Sequence, residues 1–256
     1  MNSPSELGYN LIHRFNIGDA LRRSAAKAPR RRAIHFLGRD LTYSEFDALT
    51  NRVARLLLEN GIGRGDKVAI FAMNSPEYAA VLFACGRIGA VLVPINLMFT
   101  AEDVAYVLEK TKVKALLMEA AFLPKVGNGP PIRFILDESF REMLLRYDSA
   151  PVETFVATED PCLIIYTSGT TARPKGVVLN HLNWLAYLAS AFTDLGLNGS
   201  LRYLLALPMF HVAGLVMTFA CFAAGECFFF RQTMPARFRR VSGRSNKCVC
   251  NSSMDY

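Results

Sequence analysis

Tyr166 to Val177 read YTSGTTARPKGV, a run holding five hydroxyls, two glycines and one lysine. Thr167, Ser168, Thr170 and Thr171 bring short hydroxyls. Gly169 and Gly176 let the backbone turn and approach an anion without a Cβ, and Pro174 stiffens the chain just before Lys175. The apolar stretch 162–165 precedes the run and 177–179 follows it, so a loop between two strands would aim N–H groups, hydroxyls and an ammonium at one point. A polyphosphate needs that combination, and the loop predicts nucleotide binding. It is not a Walker A loop, because Pro174-Lys175-Gly176 leads into a β-branched run and not into a helix. The plain alternative is a solvated Ser/Thr-rich turn between strands.

The order of residues across the run resembles the phosphate-binding loop of the adenylate-forming ligases, the superfamily of acyl-CoA synthetases, luciferases and peptide-synthetase adenylation domains. One position departs, Ala172, where the family has glycine. If that residue needs a positive φ, its Cβ costs on the order of 1 kcal/mol. Further segments resemble the family in the same order: Asp40-Leu41-Thr42-Tyr43, Asn51-Arg52-Val53-Ala54, Gly65 to Ala69, Asn74-Ser75-Pro76-Glu77, Gly89 through Asn96, Asn180 to Asn183, and Leu207 to Gly214. The likeness is to the N-terminal part of acyl-CoA synthetases and runs from about residue 15 to about residue 231. It implies an α/β fold, a mostly parallel sheet flanked by helices, forming the first part of the large N-terminal domain. Residues 1–231 are then a partial AMP-binding domain and 232–256 a basic tail unlike the family.

The resemblance implies ATP-dependent activation of a carboxylic acid. The carboxylate attacks the α-phosphorus, giving acyl-adenylate and pyrophosphate, and a thiol, commonly that of coenzyme A, then displaces AMP. ATP, Mg2+ and coenzyme A are the implied cofactors and co-substrates. Thr167, Ser168, Gly169, Thr170, Thr171, Lys175 and Gly176 would hold the phosphates, with Lys175 stabilising charge that builds on their oxygens. His211, a lone histidine among apolar residues, reads on types alone as a hydrogen-bonded core residue. The family match makes it an orienter at the acyl pocket, with Phe210 and Gly214 lining the same pocket. No general base is required, since a carboxylate is already a nucleophile. Asn180 and His181 read as caps of the following helix. The aromatic run near Phe210 and Phe219 leans toward a medium or long fatty acid.

At 256 residues and 52% hydrophobic content the chain is too apolar for disorder and long enough for a large core. Its net charge of +7 is uneven: residues 231–256 hold six Lys or Arg and one acid, leaving only +2 on the rest. No basic face with interleaved aromatics or reader motif argues for nucleic acid. The cysteines at 85, 162, 221, 227, 248 and 250 lack the spacing of a disulfide framework. Cys248 and Cys250 lack partners for a zinc site, so no metal centre is expected. The first residues carry no basic segment followed by an apolar core, which points to a cytoplasmic protein. Residues 212–230 are apolar enough to suggest a membrane span, but Gly225-Glu226 breaks them, and a buried helix to about 223 followed by a strand fits better.

Helix and strand signals alternate. Asn16 opens a helix to about 27. A hairpin covers 33–43, and Ser44 with Asp47 opens a helix to 59. Strands at 68–72, 90–93 and 115–118 separated by helices at 76–87 and 101–110 form βαβ units of a parallel sheet. A strand follows at 132–136, and 144–158 reads as a loose surface linker. Then come 163–166, the loop, 177–179, a helix from 181, a strand at 203–207, a helix from 212 and a strand at 227–230. Ending the apolar pattern there, the 227–230 run is expected to expose a hydrophobic edge.

The family's Tyr-Gly-x-Thr-Glu and Thr-Gly-Asp segments and its lid lysine are absent from the 256 residues. Catalysis by this chain alone is therefore not expected. The composition after Arg231 reads either as a truncated product with a frame-shifted or alternative tail, or as a disordered basic C-terminus. Three functions stay open: an acid–CoA ligase, a non-catalytic nucleotide- or acyl-binding fragment, and one half of a split ligase completed by another chain.

Overall fold

The computed structural model describes residues 4–167 and 173–230. Helix α1 (Pro4–His13) precedes α2 (Ile17–Lys27), whose cap Asn16 accepts from the Asp19 N–H at 2.8 Å. Strand β1 (Arg32–Phe36) turns through Leu37 and Gly38 into the antiparallel β2 (Arg39–Thr42). Next comes α3 (Tyr43–Glu59), opened by a reciprocal capping box between Thr42 and Glu45. This corrects the expectation that Ser44 and Asp47 open it. Thr42 is extended, with its hydroxyl free to accept from the Glu45 N–H, whereas Asp47 is drawn to Arg87.

The alternation expected from the sequence follows: β3 (Lys67–Phe71), α4 (Pro76–Ile88) capped by Ser75, β4 (Val91–Pro94), α5 (Ala101–Thr111), β5 (Ala115–Met118) and β6 (Ile132–Ile135). A short α6 (Glu138–Leu144), capped by Asp137, leads to β7 (Pro161–Thr167), β8 (Lys175–Asn180) and α7 (His181–Asp194). The described chain ends with β9 (Arg202–Leu205), α8 (Val212–Ala224) and β10 (Cys227–Phe230). No described helix is long and apolar enough to cross a membrane.

The strands form two sheets, ordered β6-β5-β3-β4-β7-β8 and β2-β1-β10-β9. Every pairing is parallel except the two hairpins, β1–β2 and β7–β8. The fold is thus α/β and mostly parallel, as the alternation implies, but divided between two sheets. Central strands are buried on both faces, which explains their unbroken apolar runs. In β3, Val68 and Ile70 face the larger core, shared with α2, α3, α4, α8 and the four-stranded sheet, while Ala69 and Phe71 face a smaller one under α5. Arg87, fully buried on α4, donates to the Asp47 and Asn51 side chains and to the Gly18 carbonyl, tying three helices together.

Two expectations fail. Strand β10 is no exposed edge: it lies between β1 and β9, with Cys227, Phe228 and Phe230 buried. Exposed apolar side chains stand instead on the edge strands β8, where Val177 and Val178 are 48% and 57% accessible, and β9, where Leu204 is 57% accessible. Residues 144–158 are no loose linker either, and Leu144 ends α6, buried. Carbonyls of Tyr147, Ser149, Ala150, Val152, Thr154 and Val156 accept from Arg52, Asn51, Arg55, Arg22, Arg14 and Asn10 side chains, and Val152 and Val156 are buried. Its partners are polar side chains from segments distant in sequence, so its own composition carries no sign of the attachment.

Candidate functional site

The predicted loop closes the β7–β8 hairpin. Strand β7 runs parallel to β4, so its carboxyl end stands on the same edge of the sheet as those of β3, β4 and β5, where open α/β sheets bind ligands. Thr167 and Lys175 face each other as the last paired residues before the loop, both exposed. Ser168, Gly169, Thr170, Thr171 and Ala172 lie outside the described residues. Beyond them, the Arg173 guanidinium sits 5.0 Å over the Tyr106 ring and 3.8 Å from Glu102.

Lys175 and Gly176 line a cleft of about 560 Å³ between α5 and the hairpin. Its lining holds four lysines, Lys67, Lys110, Lys112 and Lys175, and no carboxylate. Such a wall concentrates positive potential on any anion entering it. Gly176 pairs with Tyr166, and a Cβ on it would lie 3.0 Å from the Tyr166 ring and 3.2 Å from Ile164. The absent side chain therefore admits that ring across the strand. Burial, with Tyr106 nearby, pushes the Tyr166 phenol up, so it stays a neutral donor at the cleft.

The segment from Leu207 to Gly214 is positioned from β3. Asn74, 3% exposed, donates to the Leu207 carbonyl at 2.9 Å and accepts from the Met209 N–H at 2.7 Å. Phe210 then packs against the smaller core, as Tyr166 and Ile164 also do. His211 is exposed and caps α8, its Nδ1 3.5 Å from the Ala213 N–H, so it is not the core histidine that its apolar neighbours suggest. Gly214 is buried against the Pro208 carbonyl. The structure joins Phe210 to Tyr166 through their shared core, but the cleft at Lys175 does not take in Phe210, His211 or Gly214.

Asn74→Ala is expected to cost about 2 kcal/mol in a denaturant titration, because a buried donor and acceptor both lose their partner. Asn74→Asp, which sets a buried carboxylate oxygen against the Leu207 carbonyl, should recover none of it.

Sequence reasoning missed Asn74 as a clamp, noting it only beside a helix start. Glu119 also went unnoticed. It follows β5 at the same sheet edge, accepts from the Met73 N–H at 3.0 Å, and its carboxyl is pushed up by burial. A single acid directly after an apolar strand was its only signal. Asn180 caps α7 as expected, in a capping box with Asn183, but His181 is fully buried, with Nδ1 accepting from the Ile17 N–H at 3.3 Å. The cysteines at 85, 162, 221 and 227 are buried, and no group of three or more His, Cys, Asp or Glu that could hold a metal gathers among the described residues. Cys248 and Cys250 lie outside them.

Comparison with known proteins matches this architecture to one family. Residues 21–244 match the profile described as AMP-binding enzyme. The fatty acid–[acyl-carrier-protein] ligase ScoC of Streptomyces coeruleorubidus is 35% identical over 211 residues, covering 78% of this chain and 40% of that protein. A long-chain-fatty-acid–CoA ligase of Mycobacterium tuberculosis is 34% identical over 210 residues, covering 78% and 42%. The inhibitor-bound N-terminal domain of FACL13 from Mycobacterium tuberculosis superposes with a TM-score of 0.81 at 31% identity, covering 86% of this chain and 58% of that one. The chain thus spans about two-fifths of the length of these curated relatives. With a profile match over most of its length and two sheets arranged like those of a ligase N-terminal domain, the chain belongs to the AMP-binding enzyme family.

Proposed function

We propose that this chain supplies the triphosphate-holding and acyl-facing part of an acid-activating ligase, one that converts a carboxylic acid, most consistently a fatty acid, to an acyl-adenylate and then to a thioester. The observation that carries this reading is the β7–β8 hairpin, whose Lys175 opens onto a cleft of four lysines. In the reaction, a carboxylate oxygen bonds to the α-phosphorus of ATP while the bond to the β-phosphate oxygen breaks, and pyrophosphate leaves with the electron pair. No proton moves. The chain's task is electrostatic: Lys175 and the Thr167 hydroxyl meet charge on the phosphate oxygens, and donors held in place do so without reorganising. His211, exposed at the head of α8, is assigned to orienting the acid. Mg2+ would arrive with the nucleotide, and no described cluster of ligands is dedicated to it.

The thiol acceptor is coenzyme A in one relative's name and an acyl-carrier protein in another's, so coenzyme A is the family-level assignment. These 256 residues by themselves lack the family's ribose-binding and lid segments. ATP binding without turnover is the outcome expected of them alone, and turnover would require those segments, for which a complementing chain is one source.

Calorimetric titration with Mg·ATP tests the reading. Saturable binding that weakens about tenfold in Lys175→Ala, a loss of about 1.4 kcal/mol for one charge-assisted contact, is expected. A folded chain that takes up no nucleotide, or a Lys175→Ala variant that binds equally well, would remove the assignment.

A further inference from the structure

A second crevice, of about 350 Å³, shares no residue with the lysine cleft. The β1–β2 hairpin, α3, the start of α4 and α6 enclose it, and its volume lies at the lower end of the range of small-ligand pockets. Its apolar surface comes from Phe36 and Leu144, both buried, and from the half-buried Leu41 and Leu49.

The charges around this surface are unequal. Of the two lining acids, Glu45 is occupied by the Thr42 N–H and hydroxyl, at 2.8 and 2.7 Å. Glu77 is held by Arg141 at 2.7 Å, and that arginine also reaches Glu138 at 2.6 Å. Two further guanidinia line the crevice. Arg52 uses only its Nε, on the Tyr147 carbonyl at 3.3 Å, and neither Arg39 nor Arg52 forms an ion pair among the described residues. An apolar cavity with uncommitted guanidinium donors suits a ligand with one anionic end and an apolar body. A free polyphosphate would leave the leucine and phenylalanine surface unfilled.

We propose that this crevice binds an amphipathic monocarboxylate, a medium-chain fatty acid or an aryl acid. The carboxylate sits on Arg39 and Arg52, and the apolar body lies against Phe36, Leu41, Leu49 and Leu144. The site is separate from the acyl-facing segment at Phe210 and His211, and it stands whether or not the chain belongs to a working ligase.

A diazirine-bearing octanoate, photolysed with the full chain and followed by peptide mapping, tests this. Label is expected in peptides spanning 36–52 and 141–145. Octanoate should compete for it at least tenfold better than octanol. Arg39→Gln, at an exposed position, should weaken labelling at least fivefold with the circular dichroism spectrum unchanged, and Arg52→Lys should weaken it less. Lys175→Ala should leave it intact, which separates this site from the nucleotide reading. Label confined to other peptides, equal competition by octanol, or undiminished labelling of Arg39→Gln would overturn the proposal.

Discussion

Gly214→Ala should lower the stability of the chain by about 3 kcal/mol, at the upper end of the usual cost of overpacking, and the melting temperature by roughly 6–12 °C for a chain of this size. A Cβ built on Gly214 falls 2.1 Å from the Pro208 carbonyl oxygen, 2.6 Å from the Pro208 carbonyl carbon and 3.0 Å from the Met209 nitrogen. All three are backbone atoms, so no side-chain rotation relieves the clash. The backbone at Pro208 and Met209 cannot move freely either, because Asn74 grips the segment on both sides of Pro208. Helix α8 must shift as a body, and its buried Leu215, Phe219 and Phe222 shift with it in the larger core. His211→Ala is the control. It stands in the same turn but is exposed and contributes only a long 3.5 Å cap, so it should cost well under 1 kcal/mol. Thermal unfolding of the two variants measures both. Equal melting temperatures would show that the tight approach of α8 to Pro208 is not what fixes this segment.

That contrast also shows what the sequence can and cannot reveal. The match of Leu207 to Gly214 to a family segment locates the region, and Asn16 and Asn180 are read correctly as helix caps because a cap is a local event, complete within four residues. The βαβ alternation from β3 to β5 is legible for the same reason: each strand is an apolar run long enough to be buried on both faces. Pairing across long separations is not legible. Strand β10 enters the sheet beside β1, nearly two hundred residues earlier in the chain, and nothing in the Cys227–Phe230 run distinguishes an interior strand from an exposed edge. The same holds for side chains that act at a distance. The type of Asn74 fits a loop before a helix, and its role appears only when the Leu207–Met209 backbone is folded onto it. Gly176 reads in sequence as an approach to phosphate; in the described structure its missing Cβ also makes room for Tyr166, a cross-strand requirement that no linear reading contains.

Acidification should destabilise the chain through His181. The imidazole is fully buried at the start of α7, where the β7–β8 hairpin meets α2, with Asp160, Asp19 and Arg14 as the nearby charges. Its Nδ1 accepts from the Ile17 N–H, and its Nε2 has no hydrogen-bond partner, so the neutral form with the proton on Nε2 fits the site. Burial pushes its pKa down to about 4 from the usual 6.5, against a smaller opposing pull from the two aspartates. The sign follows from which state takes the proton first. Between pH 6.5 and 4 the unfolded chain is protonated at this residue while the folded chain is not, so the stabilisation is complete above pH 6.5 and is lost progressively as the pH falls to about 4. The shift corresponds to about 3 kcal/mol over that window. The neighbouring carboxylates of Asp160 and Asp19 are present in a His181→Gln variant as well. The informative quantity is therefore the stability difference between the parent chain and His181→Gln, from urea midpoints at pH 7.5 and pH 4. That difference should move by about 3 kcal/mol against the parent chain on acidification. A difference that stays flat, or an imidazole proton resonance that titrates above pH 6, would mean that the ring is solvated and that α7 does not seal the hairpin against α2 through a neutral histidine.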